Sequence, residues 1–302
     1  MRFIYLILCF VLCFFLAQGA SAENSKDTAE VPVITADFKS NRLKHTATSR
    51  IEAIIDARTV LMSDGKIIRL VGFDYPDVQE AAYDVDGKEL LTTLMKKGDE
   101  FMIWQTLSVK YGRTNRMGHI LAHLQNKKTG QWVNGEMVAR GAAYAYTDVS
   151  NADMAKDLLK LEEQARKNKT GIWKENSGFG MTQADAADSA IGRFAILEGA
   201  VTRASTASNN LYLNFGSDSR KDFTVMISAP LRKKMARDGF DPFSLGGKSI
   251  RVRGWVRAWN GPFMELDSAE RLEILPPTPS TDLSPPSSGL IAPPEHAKNL
   301  ME

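Results

Sequence analysis

Ile55-Asp56-Ala57-Arg58-Thr59-Val60-Leu61-Met62-Ser63-Asp64-Gly65-Lys66-Ile67-Ile68-Arg69-Leu70-Val71-Gly72-Phe73-Asp74-Tyr75-Pro76-Asp77 is the stretch that decides the fold. Arg58 to Met62 and Lys66 to Gly72 are rich in β-branched and other apolar residues and read as extended. Asp64-Gly65 between them predicts a type I′ turn, so the two runs form a hairpin. Ile51 to Ile55 supplies a strand before it.

Outward from this hairpin the pattern alternates between strand and helix. Asp86 to Lys97 predicts a helix with Leu90, Leu91, Leu94 and Met95 on one face and Gly98 as its stop. Glu100 to Val109 and His119 to Leu124 predict two more strands. Val133 to Arg140 predicts a short helix, and Ala142 to Tyr146 a short strand. Ser150, with Asp153 three residues on, is the expected cap of a long helix. Met154, Leu158, Leu161 and Ala165 would be its buried stripe. Five strands with a helix after the third suit an OB-type barrel, so residues 48–175 are expected to be an α+β domain dominated by β structure.

The remaining chain divides by composition. Arg2, the uncharged run Phe3 to Leu16 and the small residues Ala20-Ser21-Ala22 read as an export signal over residues 1–22. The run falls short of the ~20 residues of a spanning helix, so no stable membrane anchor is expected after cleavage. The protein is thus expected in a periplasm or secreted. Both cysteines, Cys9 and Cys13, lie in that signal, which leaves the mature chain without a disulfide or a thiolate site. Residues 23–47 are polar and read as a flexible leader, and 176–192 as a small-residue linker. Residues 276–302 hold seven of the twelve prolines, mixed with serine, and read as a disordered tail able to dock an envelope protein. The composition, 43% apolar and 25% charged, is that of a globular chain, and a net charge of +2 does not by itself imply a polyanionic partner.

Residues 193–275 repeat the grammar of strands, one helix, then strands. Strands are expected at Ala195 to Val201, Leu211 to Phe215, Asp222 to Ile227, Ser249 to Trp255, Pro262 to Leu266 and Leu272 to Leu275. A helix is expected from Pro230 to Asp238, and Asn260-Gly261 is a second hairpin signal. A second small OB-like barrel is the expected fold. This block carries thirteen basic against nine acidic side chains. Arg251, Arg253 and Trp255 alternate onto one face, a pattern that fits single-strand binding by phosphate contact and stacking. The plainer reading is a barrel whose outer face happens to be basic.

The first block resembles the thermonuclease (staphylococcal-nuclease-like) family. The resemblance rests on the opening stretch, on Arg113-Thr114-Asn115-Arg116-Met117-Gly118-His119-Ile120-Leu121-Ala122, on Val133-Asn134-Gly135-Glu136-Met137-Val138-Ala139-Arg140-Gly141 and on Gly171-Ile172-Trp173, in the family's order. It implies a Ca²⁺-dependent phosphodiesterase in which two aspartates and a carbonyl hold the metal, a glutamate activates water and two arginines clamp the phosphate. A hard cation and guanidinium groups of this kind match the negative charge that grows during attack.

Carried over one residue at a time, the resemblance makes Arg69 the first arginine, Asp74 the second metal aspartate and Tyr75 the residue giving the carbonyl ligand. Asp77 takes the place of the glutamate, one methylene shorter, and His119 that of the second arginine. Arg58 stands where the first metal aspartate belongs, a reversal of charge. At ~4 Å and an effective dielectric near 20, a unit charge pair interacts by ~4 kcal/mol. The swing therefore disfavours a divalent ion by several kcal/mol, and Arg58 is expected to pair with Asp74 or Asp77 instead. Weak or absent Ca²⁺ binding follows.

Arg113 and Arg116 are candidate nucleic-acid contacts, with Lys110 beside them, or else a solvated loop. Tyr111-Gly112-Arg113 is an alternative placement of the arginine motif, and Asp56 an alternative metal carboxylate. Three functions stay open at this point. The first is an exported thermonuclease-like protein that binds nucleic acid or another anionic polymer with little hydrolysis. The second is an active nuclease using Arg69, Asp74 and Asp77, and the third is a cell-envelope scaffold.

Overall fold

Alternating burial along the strands sets the architecture. The computed structural model describes residues 33–76, 86–218 and 220–276, so Asp77, the expected signal over 1–22 and the expected tail from 277 onward lie outside the described residues. The first lobe begins with β1 (Leu43–Asp56), β2 (Thr59–Met62), β3 (Ile67–Leu70) and β4 (Phe73–Asp74). Then come α1 (Gly87–Leu94), β5 (Glu100–Thr106), β6 (Ile120–Asn126), α2 (Val133–Ala139), β7 (Tyr144–Ala145) and α3 (Ala155–Lys167). β1-β2-β3-β6-β5 close a five-stranded barrel, in which β3 and β6 run parallel. Val60, Met62, Ile68, Leu70, Phe101, Ile103 and Leu124 are among its inward, fully buried residues. β4 pairs with β7 outside the barrel.

Several expectations hold and several need correction. Gly65 alone has positive φ in the β2–β3 turn, and its N–H bonds the Met62 carbonyl while the Met62 N–H bonds Lys66. This is a three-residue turn with a glycine bulge rather than type I′. α1 ends at Leu94, not at Gly98, and Gly98 uses its N–H on the Ile51 carbonyl of β1. Ser150 does not cap α3, because its hydroxyl is taken by Asp148, and the helix starts after Met154. The leader is shorter than 23–47. Phe38 is 2% exposed and stacks on Trp104 at 4.9 Å, and Glu136 accepts the Ile34 N–H. Polar spacing hides that single buried ring in the sequence.

The second lobe holds β8 (Met181–Gln183), β9 (Phe194–Ala200), β10 (Arg203–Ala207), β11 (Asn210–Asn214) and β12 (Thr224–Ile227). α4 (Ala229–Arg237), β13 (Ser249–Ala258), β14 (Pro262–Leu266) and β15 (Leu272–Ile274) complete it. The pairing order is β10-β11-β12-β14-β13-β9-β8, with β15 also on β13. This repeats a feature of the first lobe: the last main-sheet strand before the helix runs parallel to the second strand after it, β12 to β14 here as β3 to β6 there.

The pairing of this second β domain ends openly at β10 and β8. The reason lies at Val201-Thr202. The Val201 N–H turns to the Lys248 carbonyl and the Thr202 N–H to the Asn214 carbonyl. β9 and β10 therefore serve opposite ends of the order although two residues separate them, and the sheet must curl to allow it. The supposed linker is structured as well. β8 lines the edge of β9, and a short 3₁₀ helix over Ala184–Ala190 buries Ala184, Ala187 and Ala190 in the second core.

The two lobes share one packed body from Val33 onward. Arg253 of β13, 1% exposed, donates to Glu162 of α3 at 2.8 and 3.1 Å, to the Ala145 carbonyl at 2.8 Å and to Glu273 at 2.5 Å. Glu162 is wholly buried, and it also takes Arg166 at 2.5 Å and the Ala145 N–H at 2.7 Å. Burial alone would lower the Arg253 pKa, but the Glu162 and Glu273 carboxylates outweigh it and hold the guanidinium above its ordinary value. Arg271 crosses the same boundary, lying 4.2 Å over the Tyr146 ring and donating to the Thr147 carbonyl.

Candidate functional site

The β1–β2 turn and the end of β3 build the candidate site. Asp56 closes β1 and accepts the Arg58 N–H at 2.7 Å, while the Arg58 carbonyl accepts the Leu70 N–H at 2.8 Å. The backbone of Arg58 is thereby fixed beside β3. Its guanidinium reaches Asp74 of β4 at 2.5 Å and donates to the Phe73 carbonyl at 3.0 Å. Its Nε is buried without an acceptor among the described residues. The expected Arg58–Asp74 pairing is what the geometry presents. Asp74 also accepts the Tyr75 N–H, and the Tyr75 hydroxyl donates to the Ala57 carbonyl at 2.6 Å. That bond ties both sides of the site together.

Arg69 sits on the outer side of β3, where its register partner Thr59 accepts from Nη1 at 3.0 Å. Burial, then the neighbouring Arg58 charge, lower its pKa, and Asp56 and Asp74 oppose the shift. Two guanidinium groups and two carboxylates thus share one small region. Asp77, the expected water-activating carboxylate, lies outside the described residues. His119 precedes β6, two residues before the Leu121 that pairs with Arg69. Its N–H donates to Asn115, and its Nδ1 is buried without a partner among the described residues.

The remaining candidates separate. Arg113 folds back on the end of β5, donating to the Thr106 and Leu107 carbonyls at 3.0 and 3.2 Å. It serves there as a clasp on the chain. Arg116 is exposed in the turn between Asn115 and Gly118. Arg251 and Arg253 are not a basic binding face. Arg253 is the buried lobe bridge, and Arg251 pairs with Glu198 at 2.5 Å and with Glu273 at 3.1 Å. Strand alternation does place them on one side, but that side faces acidic residues rather than solvent. Trp255, 53% exposed, is the member of the trio that meets water.

Trp255 lines a feature that the sequence reading missed. A cleft of about 400 Å³ runs from Asp74 and Tyr75 past Tyr144 and Tyr146 to Phe194 and Trp255, with Arg193 as its cation. Tyr144 lies parallel to Phe194 at 4.5 Å and to Phe179 at 5.2 Å. Burial, then the charge of Asp74, push the Tyr144 hydroxyl well above its usual pKa. The period-two spacing of Tyr144 and Tyr146 was a visible signal for one aromatic face. The covering rings from the other lobe carried none.

Residues 67–175 match the family model described as Staphylococcal nuclease homologue, SNase. They form a thermonuclease-like domain whose five-stranded barrel is completed by β1 and β2, ahead of the match. No curated protein matches the chain.

Proposed function

We propose that this chain binds nucleic acid, or another anionic polymer, on its thermonuclease-like barrel without calcium-dependent hydrolysis. One observation carries the reading: the Arg58 guanidinium lies 2.5 Å from the Asp74 carboxylate. Calcium takes six to eight oxygen ligands and needs anionic ones among them. Here a cation already neutralises Asp74, and Asp56 is turned to the Arg58 N–H. The described residues therefore do not fit a calcium cage. Arg69 keeps donors beyond its bond to Thr59, and a phosphate oxygen suits them. The curled second lobe is read as OB-like on the strength of its repeated strand order. Export after removal of residues 1–22 belongs to the same proposal, and the N-terminus of the exported protein is its check.

The test is calorimetry with Ca²⁺ together with gel assays on DNA and RNA, using the unaltered protein and Arg58→Asp. Salt-sensitive binding without Ca²⁺-stimulated cleavage is expected from the unaltered chain, and Arg58→Asp should gain Ca²⁺ affinity. Ca²⁺-dependent cleavage by the unaltered chain would refute the reading in favour of an active nuclease.

A further inference from the structure

A groove of about 240 Å³ lies on the outer face of the second lobe, across β10, β11, β12 and β14. Register builds its floor. Arg203, Asn214, Thr224 and Phe263 stand side by side on four neighbouring strands. Leu213, Val225 and Met264, one residue away along those strands, fill the core beneath. Trp259 rises from the β13–β14 turn with 53% of its surface exposed. It meets Phe263 edge-on at 4.7 Å and lies 6.4 Å from Tyr212. The turn is held in place: Asn260 and Gly261 both have positive φ, and a Cβ on Gly261 would fall 2.5 Å from the Lys221 carbonyl oxygen. Trp259 is therefore presented by a fixed turn.

A second observation concerns Asn214, which lines the groove and is only 4% exposed. Its Oδ1 accepts from the Thr224 hydroxyl at 3.2 Å, so Thr224 fixes the amide in the floor of the groove. Arg203 is exposed at the rim and has no ion pair among the described residues.

We propose that this groove binds single-stranded nucleic acid. One base stacks on Trp259 and Tyr212, its polar edge meets Asn214 and Asn260, and a phosphate meets Arg203. The volume lies below the ~300 Å³ at which pockets begin to enclose drug-sized ligands, and it suits one flat ring of a longer polymer. Stacking on aromatic rings beside a cation is the general means of holding unpaired strands. A duplex keeps its ring faces stacked inside and offers none. The class of polymer rests on the nucleic-acid reading of the first lobe, but the groove uses no residue of that lobe.

The experiment is fluorescence anisotropy of a labelled oligo(dT) with the intact chain, comparing Trp259→Ala, Trp259→Phe, Arg203→Ala and Arg69→Ala. Trp259→Ala should weaken binding about tenfold or more, with Trp259→Phe recovering much of it. Arg203→Ala should flatten the salt dependence. Far-ultraviolet circular dichroism identical to the unaltered protein is expected for Trp259→Ala and Arg203→Ala, because both side chains are exposed. Binding unchanged in Trp259→Ala but lost in Arg69→Ala overturns the groove and leaves the first-lobe reading standing. Loss in Trp259→Ala with Arg69→Ala unaffected supports the groove and removes the first lobe. Displacement by a neutral oligosaccharide but not by unlabelled oligo(dT) overturns the choice of polymer.

Discussion

Replacing Arg253 by methionine should unlock the two lobes. The guanidinium makes four hydrogen bonds in a position 1% exposed, two of them to Glu162, which has no solvent contact of its own. Methionine restores much of the volume but leaves Glu162 with Arg166 and one backbone N–H. Removing one member of a buried ion pair costs about 3–5 kcal/mol, chiefly through the charge left behind. For a body of this size each kcal/mol lowers Tm by about 2–4 °C, so a fall of about 6–20 °C is expected. Differential scanning calorimetry of Arg253→Met, Glu162→Gln and the double variant measures it. The double variant should be less destabilised than the sum of the singles, because no uncompensated carboxylate remains. A loss below about 1 kcal/mol in Arg253→Met, or two separate transitions in the unaltered protein, would refute the idea that this bridge welds the lobes.

His123 is 2% exposed, accepts from the Trp132 ring N–H, and is pushed by burial down to about 3. The folded form therefore resists a proton that the unfolded chain accepts, and stability should fall as pH drops from 6.5 toward 3 by up to ~1.4 kcal/mol per unit. His123→Gln should flatten that slope in urea titrations at several pH values, and an unchanged slope would reject the cause. Gly171 has φ +55, and an added Cβ would lie 2.0 Å from the Gly141 carbonyl oxygen, whereas Gly65, at φ +80, has open space around it. Gly171→Ala should prevent stable folding, while Gly65→Ala should cost only about 1–2 kcal/mol of backbone strain. Equal midpoints for the two variants in a denaturant titration would contradict the close-approach argument.

The first lobe was legible because its signals are local. The alternating Ile68 and Leu70 and the stripe Met154, Leu158 and Ala165 are all buried, and Gly65 marks the exposed turn between two strands. The Arg58–Asp74 pair was foreseeable because it follows from a charge reversal at a position marked by its neighbours. Arg253 was not. Period two assigns it a face, but only the approach of Glu162, 91 residues earlier, decides whether that face is wet. The same limit hid Phe38 and the 3₁₀ helix over Ala184–Ala190, whose burial depends on what packs over them. It also hid the cleft wall, since Phe194 meets Tyr144 only once the lobes are joined.

The order of the staves has a practical meaning for anyone who cuts this polypeptide at the limits of its family match. A fragment starting at residue 67 lacks β1 and β2, and so bares the edges of β3 and β5 to any passing strand. One stopping at 175 strips Glu162 of Arg253 and Tyr144 of both covering rings. Sticky, charge-frustrated material is the expected product. A failed enzymatic assay on such a piece would measure the surgery rather than the protein.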